Sequence, residues 1–464
     1  MALQGTVKNI ALPPILAKDF DVKETFVPFH VDLRNGQITS VGNWGARPGY
    51  GESTSSDGAS VHFLYPEDNG ISATTNGNVF RTVIVNPIQM TGASLTGSLR
   101  PQSVKFESKL IIVDGGTPIK VSSQVTSVLD GTPPPGKYIG RVGGYTLMAG
   151  HTPTRFDWSA TNNPENWTTG DSGFANVKKT GVIKFATDFR NRWLVFKDNE
   201  IEVWHNRGGD TPFVRLNELT IPIGLGSSYS VVKANQTIYW MDNDRKFRML
   251  SDNSAQLVSG QMGSYIFDKI KDTENVYGIN FEKENKIRWF SPNDDLCLVL
   301  DYQNNQWSED NELATGNFIK MPINSYMELD GEGYIGDLRY TGKVYRWSDD
   351  FKSDNGKEIG VLRKFRVKLT ETDHRASANQ LRFMLKRGEG LNGQKAQAWF
   401  NIRMDDSPYS ERKIIDLGTI NDKNSEVTFR GLGIGRQLEI EIWATDPAAF
   451  LITGIKLNTK EMGR

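Results

Sequence analysis

A short β-hairpin recurs along this 464-residue chain, and the recurrence constrains the fold more than any other feature of the sequence. The clearest copy is Arg192–Trp204, RWLVFKDNEIEVW: an apolar arm, a polar knot, and a second arm that alternates. Looser variants begin at Val61 (VHFLYPEDNG), Ser103 (SVKFESKLIIVDGGTPIKVS), Gly144 (GYTLMAGHTPTRFDWS), Thr237 (TIYWMDNDRKFRML), Asn285 (NKIRWFSPNDDLCLVLDYQNNQWSED) and Tyr334 (YIGDLRYTGKVYRWSDD). Several second arms end in Trp followed by polar residues: FDWS, IEVWHN, NQWSED and YRWSDD. A lone hairpin is marginal in water because its apolar face has nothing to lie against. Radial repetition removes that difficulty, and the spacing of roughly 40 to 50 residues is the length of one four-stranded propeller blade. The pattern therefore predicts an all-β protein with an irregular six- or seven-bladed β-propeller over residues 51–355. An irregular pair of stacked β-sandwiches is the structural alternative.

The flanks have a different texture. Residues 1–50 alternate short apolar groups with turn formers (ALPPIL, FVPFHVDL, RNGQ, GARPGYG), which reads as an extended N-terminal arm. The polar stretch SDDFKSDNGKEIG marks a boundary, and residues 356–464 follow as longer, strictly alternating strands (VLRKFRVKL, QAWFNIRM, QLEIEIWA), a β-sandwich-like domain. One segment breaks the β rhythm: in Ser264–Asn275, SYIFDKIKDTEN, Ile266 and Ile270 stand one helical turn apart, predicting a short amphipathic helix that packs on the ring.

Composition narrows the function. With 54 Lys+Arg against 55 Asp+Glu there is no basic excess of the kind that tight general binding to DNA or to an anionic membrane calls for. Cys297 lies in the apolar run LCLVL and reads as a core residue. The N-terminus, broken by Pro13 and Pro14, does not read as a signal peptide, and no apolar run suits a membrane span, so a soluble protein made in the cytoplasm is expected.

Catalytic and ligand-binding patterns are weak. The histidines (His30, His62, His151, His205, His374) are scattered outside metal-ligand spacing. The acidic pairs Asp294–Asp295, Asp349–Asp350 and Asp405–Asp406 lie in turns, where carboxylates accept backbone N–H groups. GLGIGR, Gly431–Arg436, precedes an alternating strand and not the helix that a phosphate loop needs, so a tight β-turn is the better reading. MDNDRK, residues 241–246, has calcium-compatible oxygens without EF-hand spacing. Clusters such as LRKFRVKL read as a sheet with its charges on the solvated face. No catalytic, cofactor-binding or metal residue is assigned, no cofactor is expected, and the chain is read as a non-enzyme.

The order of features resembles the packaged-DNA stabilisation, or tail-nozzle, proteins of short-tailed bacteriophages. The likeness runs from about Phe26 to the C-terminus through FVPFHVDLRNGQ, RFDWSATNNPENW (Arg155–Trp167), GVIKFATDFRNRWLVFKDNEIEVW, IPIGLGSSYSVVKANQTIYWM around Gly224, the SYIFDKI helix, and DDSPYSERKIIDLG with GLGIGRQLEIEIWATDPAAFLITGIKL. It lies in the ordered series more than in any single motif. The polar tract 51–60 and TPPPGK (132–137) have no counterpart in it.

The resemblance implies a virion structural protein, a propeller subunit assembled as a homohexamer below the head-to-tail connector. It implies a nozzle that extends the DNA channel, helps to retain packaged DNA and then permits DNA ejection. Its partners would be the connector or adaptor protein, with tail needle, fibre or spike proteins as further candidates. DNA would pass through the lumen without sequence-specific binding, and no membrane insertion is expected. Near-neutral charge suits a conduit, because a strongly basic lumen would hold phosphates and slow ejection. The alternatives are a propeller-type binding module recognising glycan or protein partners, and, third, a glycosidase-type enzyme.

Overall fold

The computed structural model describes residues 6–10 and 29–461, apart from gaps at 39–43, 68, 82, 123–124, 180, 252–253, 371–373, 391–395, 406, 409–412, 419–424 and 446–447. The strand pairing resolves the choice left open by the hairpin spacing: among the described residues, seven sheets form the blades of a propeller. Blade 1 runs from Val61–Tyr65 to Ile88–Gln89, blade 2 from Gln102–Phe106 to Val125–Val128, and blade 3 from Tyr138–Val142 to Gly173–Asn176. Blade 4 runs from Phe185–Phe189 to Phe213–Arg215, blade 5 from Val232–Ala234 to Ser254–Leu257, and blade 6 from Tyr277–Phe281 to Gln306–Glu309. Blade 7 begins at Ile323–Leu329, and its fourth strand, Gly49–Ser55, comes from the other end of the sequence.

Hydrophobic packing closes the ring. Blades 1 and 2 share a cluster containing Phe63, Ile71, Leu110 and Ile112, and blades 2 and 3 share Phe106, Ile111, Ile139 and Met148. Blades 3, 4 and 5 are joined through Phe156, Trp193 and Trp240, and blades 5 and 6 through Phe247 and Trp289. Phe290 with Trp347 joins blades 6 and 7, and Met327 with Val61 joins blade 7 back to blade 1. Each blade thus hides an apolar face that a free hairpin would leave wet.

The hairpin RWLVFKDNEIEVW supplies the second and third strands of blade 4. Trp193 and Trp204 sit opposite each other across it, and Phe156 of blade 3 packs against both, with centroid separations of 6.2 and 5.0 Å. Both tryptophans are buried, as their place at the arms suggests. The knot KDNE reads as surface in the sequence, and for Lys197 that reading is corrected. Its side chain is fully buried, and its Nζ donates to Glu202 at 2.9 Å, Glu200 at 2.8 Å and the carbonyl of Lys178 at 2.9 Å. The ammonium tolerates burial because it is paired, and because Glu202 also accepts from the Lys178 N–H and Trp204 Nε1.

The helix is shorter than its sequence suggests. It spans Gly263–Lys269, and Ile266 and Ile270 are both buried, so the apolar spacing identified the packed face while the helix stops ahead of Ile270. Cys297 is buried in blade 6.

Residues 361–461 form two facing sheets. Val361–Lys368, Gln437–Ala444, Ala396–Met404 and Lys413–Gly418 make one; Ala376–Gly390, Ser425–Gly435 and Ala448–Glu461 make the other. Leu381, Phe383, Phe400, Phe429, Ile440 and Ile442 fill the space between them.

The described parts of the N-terminal segment are strands that pair with both sheet systems. Thr6–Ile10 adds to the edge strand Ala448–Glu461, and Trp44 lies opposite Ile452. Phe29–Arg34 pairs with Val361–Lys368 on one side and meets the outer strand of blade 6 at Glu309 on the other. One continuous nine-stranded sheet therefore crosses from propeller to sandwich.

A buried polar network holds that crossing. Asn35, left-handed at φ 52°, donates its side-chain amide to the Gly360 carbonyl at 2.7 Å and accepts the Asn311 N–H at 2.6 Å. The Arg47 guanidinium donates to Asn35, Asp354, the Asn311 carbonyl and the Pro48 carbonyl. Next to it Arg288 bridges Asp310 at 2.8 Å and Glu284 at 2.9 Å, and Trp347 of blade 7 donates to Glu284.

Burial pushes the Glu284 carboxyl up, but the Arg288 and Lys286 charges and the hydrogen bonds outweigh it, bringing the group down to about 2. A carboxyl with a depressed folded value contributes stability above its ordinary value of 4.5, and that contribution is lost as pH falls toward 2. The effect is on the order of 3 kcal/mol. Acid titration of the melting temperature is expected to show a loss between these limits that is much reduced in Glu284→Gln; equal acid slopes in the two proteins would remove Glu284 as its source.

Candidate functional site

Two surfaces of the propeller stand out from its packed interior. The first is the outer rim of blades 1 and 2. The outer strand of blade 1 leads directly into Thr91–Gly92, which pairs in parallel with Val125–Thr126 on the outer strand of blade 2. Along this joined edge Val85, Ile88, Val125 and Val128 are 60, 56, 50 and 48% exposed. Single exposed aliphatics are common on any surface, and these four make the rim a candidate docking face only as a group.

The second surface is one mouth of the propeller axis. The first strands of neighbouring blades touch one another, so they line the axis, and the segments leading into them converge at this end. They enclose an open cavity of about 440 Å³ whose wall includes Ser60, His62, Arg100, Tyr229, Tyr277 and Asn324. These residues come from blades 1, 2, 5, 6 and 7 or the turns that feed them.

Arg100 is the centre of this mouth. Its guanidinium lies 3.9 Å over the Tyr277 ring and donates to the Asn324 carbonyl and, at 2.5 Å, to the Asn324 side-chain oxygen. Among the described residues no carboxylate pairs with it. Burial lowers its proton affinity, with no ion pair to restore it. The nearby Asp114 is saturated by local donors: the Thr96, Gly97 and Gly116 N–H groups and the Thr96 hydroxyl.

His62 is buried beside this cation, and among the described residues its Nε2 has no hydrogen-bond partner. Burial, reinforced by Arg100, holds the imidazole down at about 4, so it is neutral near pH 7. Tyr229 and Tyr277 are pushed well above the ordinary phenol range, chiefly by burial, and remain hydroxyl donors.

The histidines singled out in the sequence are not brought together. His30 lies in the strand Phe29–Arg34, His62 at the axis mouth, and His151 pairs with Asp157 at 2.9 Å in blade 3. His205 is exposed on blade 4, and the His374 carbonyl accepts from Thr370 near the sandwich. Among the described residues, no three His, Cys, Asp or Glu side chains form a metal-sized group.

Two of the turn aspartates accept backbone N–H groups, but from segments distant in sequence and not from their own turns. Asp294 accepts the N–H groups of Lys271 and Asp272, and Asp405 those of Arg436 and Gln437, while Asp406 lies outside the described residues. In MDNDRK the Asp242 oxygens accept from the Asp244 and Lys246 N–H groups and from Arg248. GLGIGR is followed by the strand Gln437–Ala444, as its alternation requires, although Gly431 and Gly433 lie within the preceding strand and Arg436 makes the turn. Arg100 was missed in the sequence; in SLRPQ it looks like any loop arginine, and only tertiary structure sets it against Tyr277.

No protein-family model matches the chain, and no curated protein matches it in sequence. Among solved structures, it is similar to the extracellular domain of the putative one-component system BT4673 from B. thetaiotaomicron, at 11% identity over 92% of this chain and 62% of that one, with a TM-score of 0.44. PorZ, a bacterial surface component of the type-IX secretion system of Porphyromonas gingivalis, matches at 9% identity over 82% of this chain, with a TM-score of 0.40; the match spans 46% of PorZ. The Neurospora crassa Pan2 WD40 domain matches at 8% identity over 67% of this chain and 97% of that domain, with a TM-score of 0.41. At these scores the likenesses carry no argument about function, and the seven blades rest on this chain's own strand pairing.

Proposed function

We propose that the chain works by docking, with no chemistry of its own, as the subunit of a tail nozzle in a short-tailed phage. In this reading several copies, six by the resemblance, stand as a ring below the head-to-tail connector in the virion. They extend the DNA channel and help to hold and then release packaged DNA. The identity of the assembly rests on the ordered motif series running from FVPFHVDLRNGQ to the closing β-domain. The structural observation that supports assembly is the apolar rim of blades 1 and 2, which a second copy would cover. DNA would run through the lumen enclosed by the copies.

Rim substitutions test the reading. Ile88→Lys with Val125→Lys places charges on exposed positions, so stability should stay within about 0.5 kcal/mol of the parent. Native mass measurement should show the parent as a ring and the double variant as a monomer. An unchanged oligomer would exclude the rim as the contact.

The second reading, a module that binds glycan or protein partners, is favoured by the polar axis mouth around Arg100.

A further inference from the structure

The geometry points to the axis mouth as a binding site for a carboxylate-bearing sugar of the uronic acid class, seated on Arg100. This goes beyond the assembly reading and does not depend on it. The site has a built cation. Arg100 is held against the Tyr277 ring and by Asn324, which fixes its plane, yet no carboxylate among the described residues neutralises it. A fixed guanidinium with spare N–H groups suits a planar carboxylate, which it can engage with two parallel hydrogen bonds.

A second observation is independent of the first. His62, in the wall of the same cavity, is buried with an Nε2 that no group among the described residues satisfies. A buried polar atom without a partner costs free energy, and a hydroxyl-rich ligand supplies both donor and acceptor. At the rim Tyr340 is 83% exposed, offering a free aromatic face for the apolar face of a pyranose ring. Asn275 and Asn293 stand on the same wall, with their side-chain amides donated to the Asp272 carboxylate beside it.

The charges around the site permit an anion. Asp114 is saturated by its four local donors, and Glu274 lies at the exposed rim. A cavity of about 440 Å³ is of the size that small-ligand pockets occupy.

Ligand-observed NMR on the full chain provides the test, with D-glucuronate as the probe and D-glucose and L-glutamate as controls. Glucuronate is expected to bind at millimolar concentration and the two controls at least tenfold more weakly. Arg100→Met should reduce glucuronate binding at least tenfold. Tyr340→Ala, at an exposed position where folding is not at risk, should weaken it severalfold. Equal binding of glucose would overturn the role of the carboxylate, and equal binding of glutamate would overturn the sugar. Absence of glucuronate binding to the parent protein, or full binding by Tyr340→Ala and Arg100→Met, would overturn the site.

Discussion

A chain lacking residues 1–55 is expected to lose the cooperative thermal transition of the full protein. The deletion removes Gly49–Ser55, whose register with Lys343–Ser348 completes the last blade. It also removes Phe29–Arg34, the strand between propeller and sandwich. Tyr50 goes with them, a buried side chain packed 5.1 Å from Tyr345 and 6.4 Å from Trp347. Loss of one large buried aromatic alone costs about 3–5 kcal/mol, comparable with the total stability of many domains. The comparison is a chain lacking residues 1–25. It keeps both strands, loses the edge strand Thr6–Ile10, and is expected to fold while assembling poorly; residues 11–25 lie outside the described residues. Differential scanning calorimetry separates the two. A normal transition in the shorter chain would show that blade 7 does not depend on its N-terminal strand.

Arg47→Met should destabilise the protein by about 3–5 kcal/mol, because removing one partner of a buried ion pair leaves the other charge unpaired. Arg47 and Asp354 are both almost wholly enclosed, with Nη2 and Oδ2 2.5 Å apart. Asp310 lies near Arg47 as well but keeps Arg288 at 2.8 Å, so the penalty falls mainly on Asp354. The double variant Arg47→Met with Asp354→Leu should recover much of the loss, since an apolar pair replaces an ion pair at little cost. Urea midpoints measure both. A parental midpoint for Arg47→Met would mean that the crossing is held by the strands alone.

These two expectations concern residues whose roles the sequence hides. Blade closure joins Tyr50 to Trp347, across nearly the whole propeller, whereas periodicity is a local signal. GYGESTS has too few apolar residues to announce a strand; it is one because Lys343–Ser348 offers it an edge. Arg47, in GARPGY, looks like part of a turn, and the carboxylates that pair with it, Asp310 and Asp354, stand more than 250 residues away. Lys197 is hidden differently: Glu200 and Glu202 stand in its own hairpin, but a lysine in a polar knot reads as solvated until the fold buries it.

What the sequence shows well is local. The hairpin arms, the tryptophans that end them, the helix around Ile266 and the alternating strands after residue 360 are all set by short-range pattern and burial. The axis mouth was illegible because each blade that contributes gives it only one or a few residues, and a lone histidine such as His62 has no neighbour in sequence to give it meaning. Catalytic pairings, by contrast, usually leave spaced motifs, which is why the sequence directed attention to structure and assembly instead.

The most direct test is electron microscopy of the full chain, alone and mixed with a head-to-tail connector protein of a short-tailed phage. The proposed nozzle requires closed rings, six-fold in end view, with an open lumen between subunits and the rim of blades 1 and 2 buried at the contact. Particles one subunit wide in both preparations would contradict it.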